Sequence, residues 1–366
     1  MKVGIDARAL LGERAGVGVY TEQIARGLAE AGFDVALFTP RALPPAPEMP
    51  AGVELHADNH RSGTLWVQTH LPRRLEEARC DVLLSALTVV PWRGSVPAVS
   101  VVHDLTPLSH PEWHRRKTII GFVPWIEKSI DRAAGFLAVS ETTARELVAQ
   151  FPEARGRVRV APNGVDARYR PGIDEERRRW IRERYSRGRP YILYLGTLEP
   201  RKNLGRLVAA CERLWRARRS RPDLMLAGGA GWKSRPLLDQ IARSPFRDKI
   251  HRVGYVPAAL APDLYRAADA FCYPSLSEGF GLPVAEALAC GVPTVISDAE
   301  ALRETAGGAA LSPGGEDAES LASVLETVLE DAGARRELVA RGLVRAGELT
   351  WRESARRTAE ALRAAA

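Results

Sequence analysis

Two glutamates, Glu278 and Glu286, stand eight positions apart on either side of a glycine-rich turn. Gly279 and Gly281 leave backbone N–H groups accessible just before an apolar helical segment, and the N-terminus of a helix attracts anions. A carboxylate is suited to accept two hydrogen bonds from vicinal hydroxyls, such as those of a ribose. One carboxylate before the turn and one inside the helix could therefore hold a single ligand that lies along the turn.

Two adjacent cations, Arg201 and Lys202, come shortly after the hydrophobic run 191–195. Arginine grips two phosphate oxygens at once, whereas lysine acts as a point charge. Both residues together at the end of a strand predict a diphosphate-binding site. Alternatively, Arg201 and Lys202 could cap a surface helix.

The first half of the chain carries weaker signals. Gly16 and Gly18 follow the first apolar run and precede a helical pattern, so their backbone could approach a phosphate closely. Thr21 stands where G-x-G-x-x-G would need a third glycine, and a turn that is merely tight would look the same. His103 comes directly after the run 99–102, where it could meet a ligand or pack as an ordinary buried histidine.

The elements that would position these residues are strands alternating with helices, a pattern typical of parallel α/β sheets. Helical spacing occurs at 20–31 and 142–150, and turn-forming residues at 161–166 and 170–172 predict a linker between two doubly wound halves. We expect the active site in the cleft between these halves, at the carboxyl ends of the strands. The predicted strands are 3–5, 35–38, 82–84, 99–102, 136–139, 191–195, 224–227, 270–273 and 294–297.

Length and composition exclude several classes of protein. A chain of 366 residues is most simply two domains, and 45% hydrophobic with 27% charged residues exclude a disordered, collagen-like or coiled-coil chain. The apolar runs are far shorter than the roughly 18 to 20 residues that a membrane span needs. Asp6 interrupts the first apolar segment before a signal peptide can form, which predicts residence in the cytoplasm.

The net charge of +7 favours an anionic partner, although a generally charged, arginine-rich surface is the alternative. Nine arginines between residues 168 and 189 are interleaved with acids, which indicates a salt-bridged helix rather than a nucleic-acid surface. Nucleic acid is therefore not an expected partner. The four cysteines contain no C-x-x-C pair, so neither a zinc site nor a disulfide framework is predicted.

The segment 278–286 resembles the E-x7-E motif of retaining glycosyltransferases with the GT-B fold, and the chain resembles glycosyltransferase family 4 over essentially its full length. The likeness is strongest to the bacterial branch of mannosyltransferases that extend O-antigen-type polysaccharides. The matching segments are residues 6–8, 16–20, 103–107, 139–141, 162–166, 199–203, 254–256 and 278–283.

This resemblance implies an α/β fold of two Rossmann-like doubly wound domains that face each other across a cleft. Residues 1–168 would form the acceptor-side domain, and residues 169–350 would form the domain that binds the nucleotide-sugar. Residues 351–366 would form a helix that crosses back to the first domain.

The resemblance also implies roles for single residues. Glu286 would bind the ribose hydroxyls, and Glu278 would bind the sugar hydroxyls together with backbone amides of the turn. Arg201 and Lys202 would lie on the diphosphate, and His103 would meet the transferred sugar. With Glu278, these last three are the predicted catalytic residues. The predicted donor-binding residues are Gly16, Gly18, Thr197, Tyr255, Val256, Gly279, Phe280, Gly281, Leu282 and Glu286.

Charge explains the implied mechanism. Breaking the bond from the anomeric carbon to a nucleoside diphosphate creates an oxocarbenium-like sugar and a dianionic leaving group, which cations and helix N-termini stabilise. Many family members carry arginine where this chain has Thr197, so the diphosphate would rest on Arg201 and Lys202 alone. No D-x-D motif occurs, so neither a metal nor another cofactor is predicted. The resemblance implies retention of anomeric configuration, with GDP-mannose as the donor substrate and a glycan or lipid-linked acceptor.

Several alternatives stay open at this point. The donor could be a UDP-sugar carrying glucose or N-acetylglucosamine, or the protein could bind a nucleotide-sugar without turnover. A nicotinamide oxidoreductase is disfavoured because the first half lacks G-x-G-x-x-G. The basic and aromatic stretch 110–126 could touch anionic lipid at the inner membrane surface, or it could be an ordinary helix that faces the other domain.

Overall fold

The structure is a computed structural model that describes residues 1–12, 16–43, 52–60, 63–218 and 221–366. The chain divides into two compact units. The N-terminal unit contains Met1–Gly164 and Thr350–Ala366, and the C-terminal unit contains Val165–Leu349. The structure therefore changes from one unit to the other after Gly164 and again after Leu349, slightly earlier in the chain than the predicted boundaries after residues 168 and 350.

The strands of the N-terminal unit are Lys2–Asp6 (β1), Asp34–Thr39 (β2), Val53–Ala57 (β3), Val82–Ser85 (β4), Ala98–Val102 (β5), Gly135–Ala138 (β6) and Val158–Val160 (β7). They form one parallel sheet in the order β3-β2-β1-β4-β5-β6-β7. This is the strand order of a Rossmann-type doubly wound sheet. β4 and β5 are buried at every position, which explains why all their residues except Ser85 and Ser100 are apolar.

The helices of this unit are Val17–Glu30 (α1), Gly63–Thr69 (α2), Leu71–Glu77 (α3), Thr106–Ser109 (α4), Arg116–Arg132 (α5), Glu141–Gln150 (α6) and, from the C-terminal segment, Trp351–Ala365 (α15). Ser140 and Thr350 begin α6 and α15 as N-caps, because each side-chain oxygen accepts a backbone N–H from the first turn. Gly27 lets α1 and α15 approach closely, since a Cβ there would lie 2.5 Å from Cβ of Ala355. The last helix is thus packed within the N-terminal unit.

The strands of the C-terminal unit are Tyr191–Leu195 (β8), Asp223–Ala227 (β9), Ile250–Gly254 (β10), Ala270–Tyr273 (β11) and Thr294–Ile296 (β12). They form a second parallel sheet in the order β10-β9-β8-β11-β12, again the doubly wound arrangement. The prediction of two Rossmann-like sheets is confirmed. Three strands were not predicted, namely β3, β7 and β10.

The helices of the C-terminal unit are Glu175–Ser186 (α7), Leu204–Ala217 (α8), Arg235–Arg243 (α9), Ala261–Ala267 (α10), Leu282–Ala289 (α11), Glu300–Ala306 (α12), Ala318–Glu330 (α13) and Ala332–Glu348 (α14). A buried core of strand residues and helix faces, from Ile181 of α7 to Leu338 of α14, holds this unit together. Across the described residues of both units, no helix is both long enough and apolar enough to span a bilayer.

Candidate functional site

Arg201 and Lys202 both donate hydrogen bonds to Glu278 in the C-terminal unit. Lys202 Nζ donates to Glu278 Oε1, and Arg201 Nη1 donates to Glu278 Oε2 over 2.8 Å. Arg201 and Lys202 lie in a short 3-10 turn after β8, whereas Glu278 follows β11, the neighbouring strand. Because neighbouring parallel strands end at the same edge of a sheet, the three side chains meet there.

Glu199 is a fourth member of this cluster and was not predicted from the sequence. Its Oε1 accepts a hydrogen bond from Arg201 Nε over 3.2 Å, and its side chain is buried. The sequence offered one signal for Glu199. It stands two residues before Arg201, in a segment that matches the family. With two cations and two carboxylates, the cluster carries no net formal charge.

The ionisation of Glu278 follows from its partners. Burial alone would raise the pKa of this carboxyl, but the charges of Lys202 and Arg201, with hydrogen bonds from Lys202 and Ser275, outweigh burial and hold the pKa at about 2. Lys202 Nζ also donates to the hydroxyl of Tyr273 over 2.9 Å. An ammonium group has three N–H donors, so one of those on Lys202 has no hydrogen-bond acceptor among the described residues.

Glycines let the loops after β8, β9 and β10 pack closely. Gly228 N donates to the carbonyl oxygen of Gly254 over 2.7 Å, and a Cβ on Gly228 would lie 2.0 Å from the carbonyl oxygen of Gly196. The residues after these glycines therefore share the sheet edge that carries the charged cluster. The predicted donor-binding residues located there are Thr197 and Tyr255, which are both exposed, and Val256.

The glycine-rich turn is anchored by α12. Thr305 Oγ1 donates to the carbonyl oxygen of Phe280 over 2.5 Å, and the Phe280 side chain is buried. Gly281 has φ of +90°, and a Cβ there would lie 2.4 Å from Cδ2 of Leu302, so both its conformation and its space require glycine. The buried Gly279 precedes this anchor, and Leu282 begins α11. The turn thus ends at a helix N-terminus.

Glu286 lies on α11 in a separate set of contacts. Tyr265 OH donates to Glu286 Oε2 over 2.9 Å, and Tyr169 is a second hydrogen-bond partner. Burial raises the pKa of this carboxyl to about 7, although the tyrosine hydrogen bonds partly oppose the shift. The two glutamates of the motif therefore differ sharply, because Glu278 is ionised at neutral pH and Glu286 is only partly so. Neither tyrosine was predicted.

Gly16 and Gly18 lie at the start of α1 in the N-terminal unit. Gly16 is the N-cap and has φ of +28°, which side chains rarely allow. A Cβ on Gly18 would lie 3.1 Å from the carbonyl oxygen of Ala9, so this glycine lets α1 pack against the turn after β1. Their predicted approach to a phosphate stays a prediction.

His103 follows β5 and is held as a neutral imidazole. Its Nε2 lies 3.0 Å from the carbonyl oxygen of Ala86 and donates there, which leaves Nδ1 as an acceptor. Burial lowers the pKa of His103 to about 4, although the Ala86 hydrogen bond and Asp104 oppose the shift. The Tyr20 ring packs edge-on against His103 with centroids 4.9 Å apart, and the Trp351 ring lies 6.2 Å from Tyr20. α1 and α15 therefore fix the orientation of this histidine.

In the part of the chain that the structure describes, no group of three or more His, Cys, Asp or Glu side chains could hold a metal ion. All four cysteines are free and buried.

Comparison with known proteins gives concordant matches. Residues 176–344 match the family described as Glycosyl transferases group 1, and residues 14–169 match Glycosyltransferase Family 4. The O-antigen chain mannosyltransferase B of Escherichia coli is 32% identical, covering 72% of this chain and 69% of that protein. The D-inositol 3-phosphate glycosyltransferase of Pseudarthrobacter chlorophenolicus is 30% identical, covering 78% and 74%. The structure of Alr3699/HepE from Anabaena in complex with UDP-glucose superposes with a TM-score of 0.78, at 19% identity and 99% coverage of both chains.

Proposed function

Because this chain belongs to glycosyltransferase family 4 and has the GT-B fold, we propose that it transfers mannose from GDP-mannose to a glycan or lipid-linked acceptor, with retention of configuration. The observation that carries the proposal is the largely buried cluster of Arg201, Lys202 and Glu278 at one sheet edge. The choice of mannose, and of cell-surface polysaccharide as the product, is supported by the name of the Escherichia coli relative.

The cluster would act on the leaving diphosphate. Since its formal charges cancel, it would stabilise the departing phosphate through directed N–H donors rather than through an excess of positive charge. Lys202 has an N–H to offer while it keeps its bonds to Glu278 and Tyr273. The N-terminus of α11 adds a dipole of the right sign. We propose that these groups together make a metal ion unnecessary.

The remaining contacts divide between the ribose and the sugar. Glu286 would accept hydrogen bonds from the ribose hydroxyls in its ionised form, because a carboxylate accepts two such bonds better than a neutral acid does. His103 would offer Nδ1 to a hydroxyl of the transferred sugar, since Nε2 is already bonded to Ala86. Glu278, fixed by Arg201 and Lys202, would orient the other sugar hydroxyls.

A UDP-sugar donor is the second candidate. It is favoured by the Anabaena protein, whose structure contains UDP-glucose. At 19% identity that likeness concerns the fold, whereas the mannosyltransferase is 32% identical. We therefore propose GDP-mannose first and treat UDP-glucose and UDP-N-acetylglucosamine as outcomes of the same experiment.

The function is tested with purified protein that has been dialysed against EDTA and then supplied with each donor and an oligosaccharide acceptor. We expect an α-mannoside from GDP-mannose, identified by its anomeric coupling in the NMR spectrum, and no product from a Lys202→Met control. A β-linked product would refute retention, and a product from a UDP-sugar alone would refute the choice of donor. Turnover that returns only on addition of Mg²⁺ or Mn²⁺ would refute the metal-free mechanism.

Helix α5, from the basic and aromatic stretch noted in the sequence, contributes to a surface suited to lipid. Trp92 is 50% exposed, and Lys128 Nζ lies 4.6 Å from its ring centroid and 4.8 Å from that of Trp125. Ile120 is 76% exposed on the same helix as Lys128. Tryptophan and lysine side by side suit the boundary between apolar lipid and anionic head groups. We propose that this basic aromatic surface contacts an anionic membrane face.

Co-sedimentation with phosphatidylglycerol and phosphatidylcholine vesicles tests this contact. Lys128→Ala should weaken binding to the anionic vesicles about fivefold, because one cation near such a surface contributes about 1 kcal/mol. Trp180→Ala is a matched control, since Trp180 is 46% exposed and lies 4.5 Å from Arg177 in the C-terminal unit. If Lys128→Ala bound as tightly as Trp180→Ala, or the wild type did not distinguish the two lipids, the surface would have no such role.

A further inference from the structure

A pocket of about 320 Å³ lies at the carboxyl edge of the N-terminal sheet. Its lining includes residues that follow three adjacent strands, namely Arg8 after β1, Arg41 after β2 and His60 after β3. This volume is at the lower end of the usual range for small-molecule sites, about 300 to 1,000 Å³. Ligands of doubly wound sheets bind at carboxyl edges, so the pocket lies where this unit would hold a substrate.

Arg8 is a pre-oriented donor in the pocket wall. Its Nε and Nη2 donate to the carboxylate of Asp6 over 2.9 and 2.7 Å, and Asp6 is fully buried. These bonds leave Nη1 with no hydrogen-bond acceptor among the described residues. Gly63 lies beside this arginine in the pocket wall, where a Cβ would be in van der Waals contact with Cδ of Arg8 at 3.4 Å and with Nη1 at 3.7 Å.

Arg41 supplies positive charge that no described carboxylate balances. Whereas Asp6 neutralises Arg8, Arg41 forms no ion pair with a described residue, and the described lining of the pocket contains no acid. Leu11 and Pro40 add apolar surface beside the two arginines. Guanidinium groups bind phosphate oxygens in pairs, and apolar surface suits the organic part of a phosphate ester.

We propose that this pocket binds a phosphate or pyrophosphate ester carried by the acceptor, with Arg8 and Arg41 as its principal ligands. The assignment to an acceptor rests on the proposed function, which places the donor phosphates on Arg201 and Lys202 in the other unit. A phosphorylated small molecule and a lipid pyrophosphate share this chemistry, and the experiment distinguishes them.

Calorimetric titration of inorganic pyrophosphate into the full-length protein tests the pocket directly. GDP and UDP are both kept in excess, so that a donor site for either nucleotide is already filled. We expect Arg41→Ala to weaken pyrophosphate binding by roughly ten- to a hundredfold, as for the loss of a hydrogen bond to a charged group. Arg155→Ala removes an exposed arginine of the same unit outside the pocket and should bind like the wild type. Equal binding by Arg41→Ala and the wild type, or no binding by the wild type, would overturn the proposal.

Competition then identifies the source of the phosphate. D-inositol 3-phosphate represents the small molecules and farnesyl pyrophosphate the lipids, and we expect one of them to displace pyrophosphate in a manner that depends on Arg41. If neither competes, the pocket is not an acceptor site. Failure of the proposed function is seen separately, as a lack of nucleotide-sugar binding and turnover, because the pyrophosphate titration does not require either.

Discussion

Glu278→Gln is expected to lower the free energy of unfolding by about 3 kcal/mol at neutral pH, or the melting temperature of the C-terminal unit by roughly 6 to 12 °C. The substitution keeps the shape of the side chain but removes the negative charge bonded to Arg201 and Lys202. Only Glu199 then remains in the cluster as a counter-charge for the buried Lys202 and the partly buried Arg201. Turnover should fall as well, since the N–H donors that we propose for the diphosphate are no longer held in place.

The pH dependence of this loss provides a stricter test. Because the folded-state pKa of Glu278 is about 2 and the ordinary value is 4.5, its contribution to stability is complete above that ordinary value and is lost as the pH falls toward 2. The gap between wild type and Glu278→Gln should therefore narrow by about 1 kcal/mol between about pH 5.5 and about pH 3.5. Glu316→Gln, which changes an exposed residue of the same unit, is the control. Equal melting temperatures for the wild type and Glu278→Gln would show that the ion pairs contribute no stability.

The strands that escaped prediction are the outermost ones. β3, β7 and β10 each lie at an edge of a sheet and carry charged residues, such as Glu54, Arg159 and Arg252. A central strand such as β5 is covered on both faces, so its residues are apolar except for Ser100, and this apolar run made the strand predictable. The fourth edge strand, β12, was predicted because it too is buried at every position. An apolar run in the sequence therefore predicts a buried strand, and a strand with exposed positions lacks this pattern.

In the candidate site, too, the positions of the residues along the chain were predicted, but their contacts with distant residues were not. The motifs placed Arg201, Lys202 and Glu278 near the ends of parallel strands, and strand order alone was enough to bring them to one edge. Their mutual neutralisation was not predicted, because it depends on side-chain directions across two separate loops. The expectation from the sequence was that the cations would serve a phosphate and the carboxylate a sugar, each independently.

The environment of Glu286 could not be predicted from the sequence either. Its position in the motif is local, but its pKa depends on burial and on Tyr169 and Tyr265, which come from other parts of the chain. A spacing rule treats the two glutamates as equivalent carboxylates. The structure gives them opposite pKa shifts, so the same substitution should act in opposite directions at the two positions.

Glu286→Gln is therefore expected to raise stability. The folded-state pKa of about 7 lies above the ordinary value of 4.5, so the folded protein retains a proton that the unfolded chain releases. The contribution of the Glu286 carboxyl to the free energy of unfolding is complete below pH 4.5 and is lost as the pH rises to about 7. Glutamine resembles the protonated form, so at about pH 8 the variant should gain about 3 kcal/mol, or roughly 6 to 12 °C in melting temperature. Near pH 4 the wild type and the variant should melt together, and Glu316→Gln should show no gain at either pH.

The gain in stability should come with a loss of donor affinity in the same variant. In the proposed site, ribose hydroxyls would donate to Glu286 and favour its ionised form. Wild-type donor affinity should therefore rise with pH up to about 7 and then level off, with proton release on binding. Glu286→Gln should bind the nucleotide-sugar roughly ten- to a hundredfold more weakly at about pH 8 and show no such pH dependence. Calorimetry in buffers of different ionisation enthalpy measures both the affinity and the released proton.

A carboxylate kept for folding alone would not be buried at a cost in stability, so the opposed effects on melting and binding are the signature of a ligand-binding group. A variant that is more stable but binds the donor with unchanged affinity would exclude Glu286 from the ribose site.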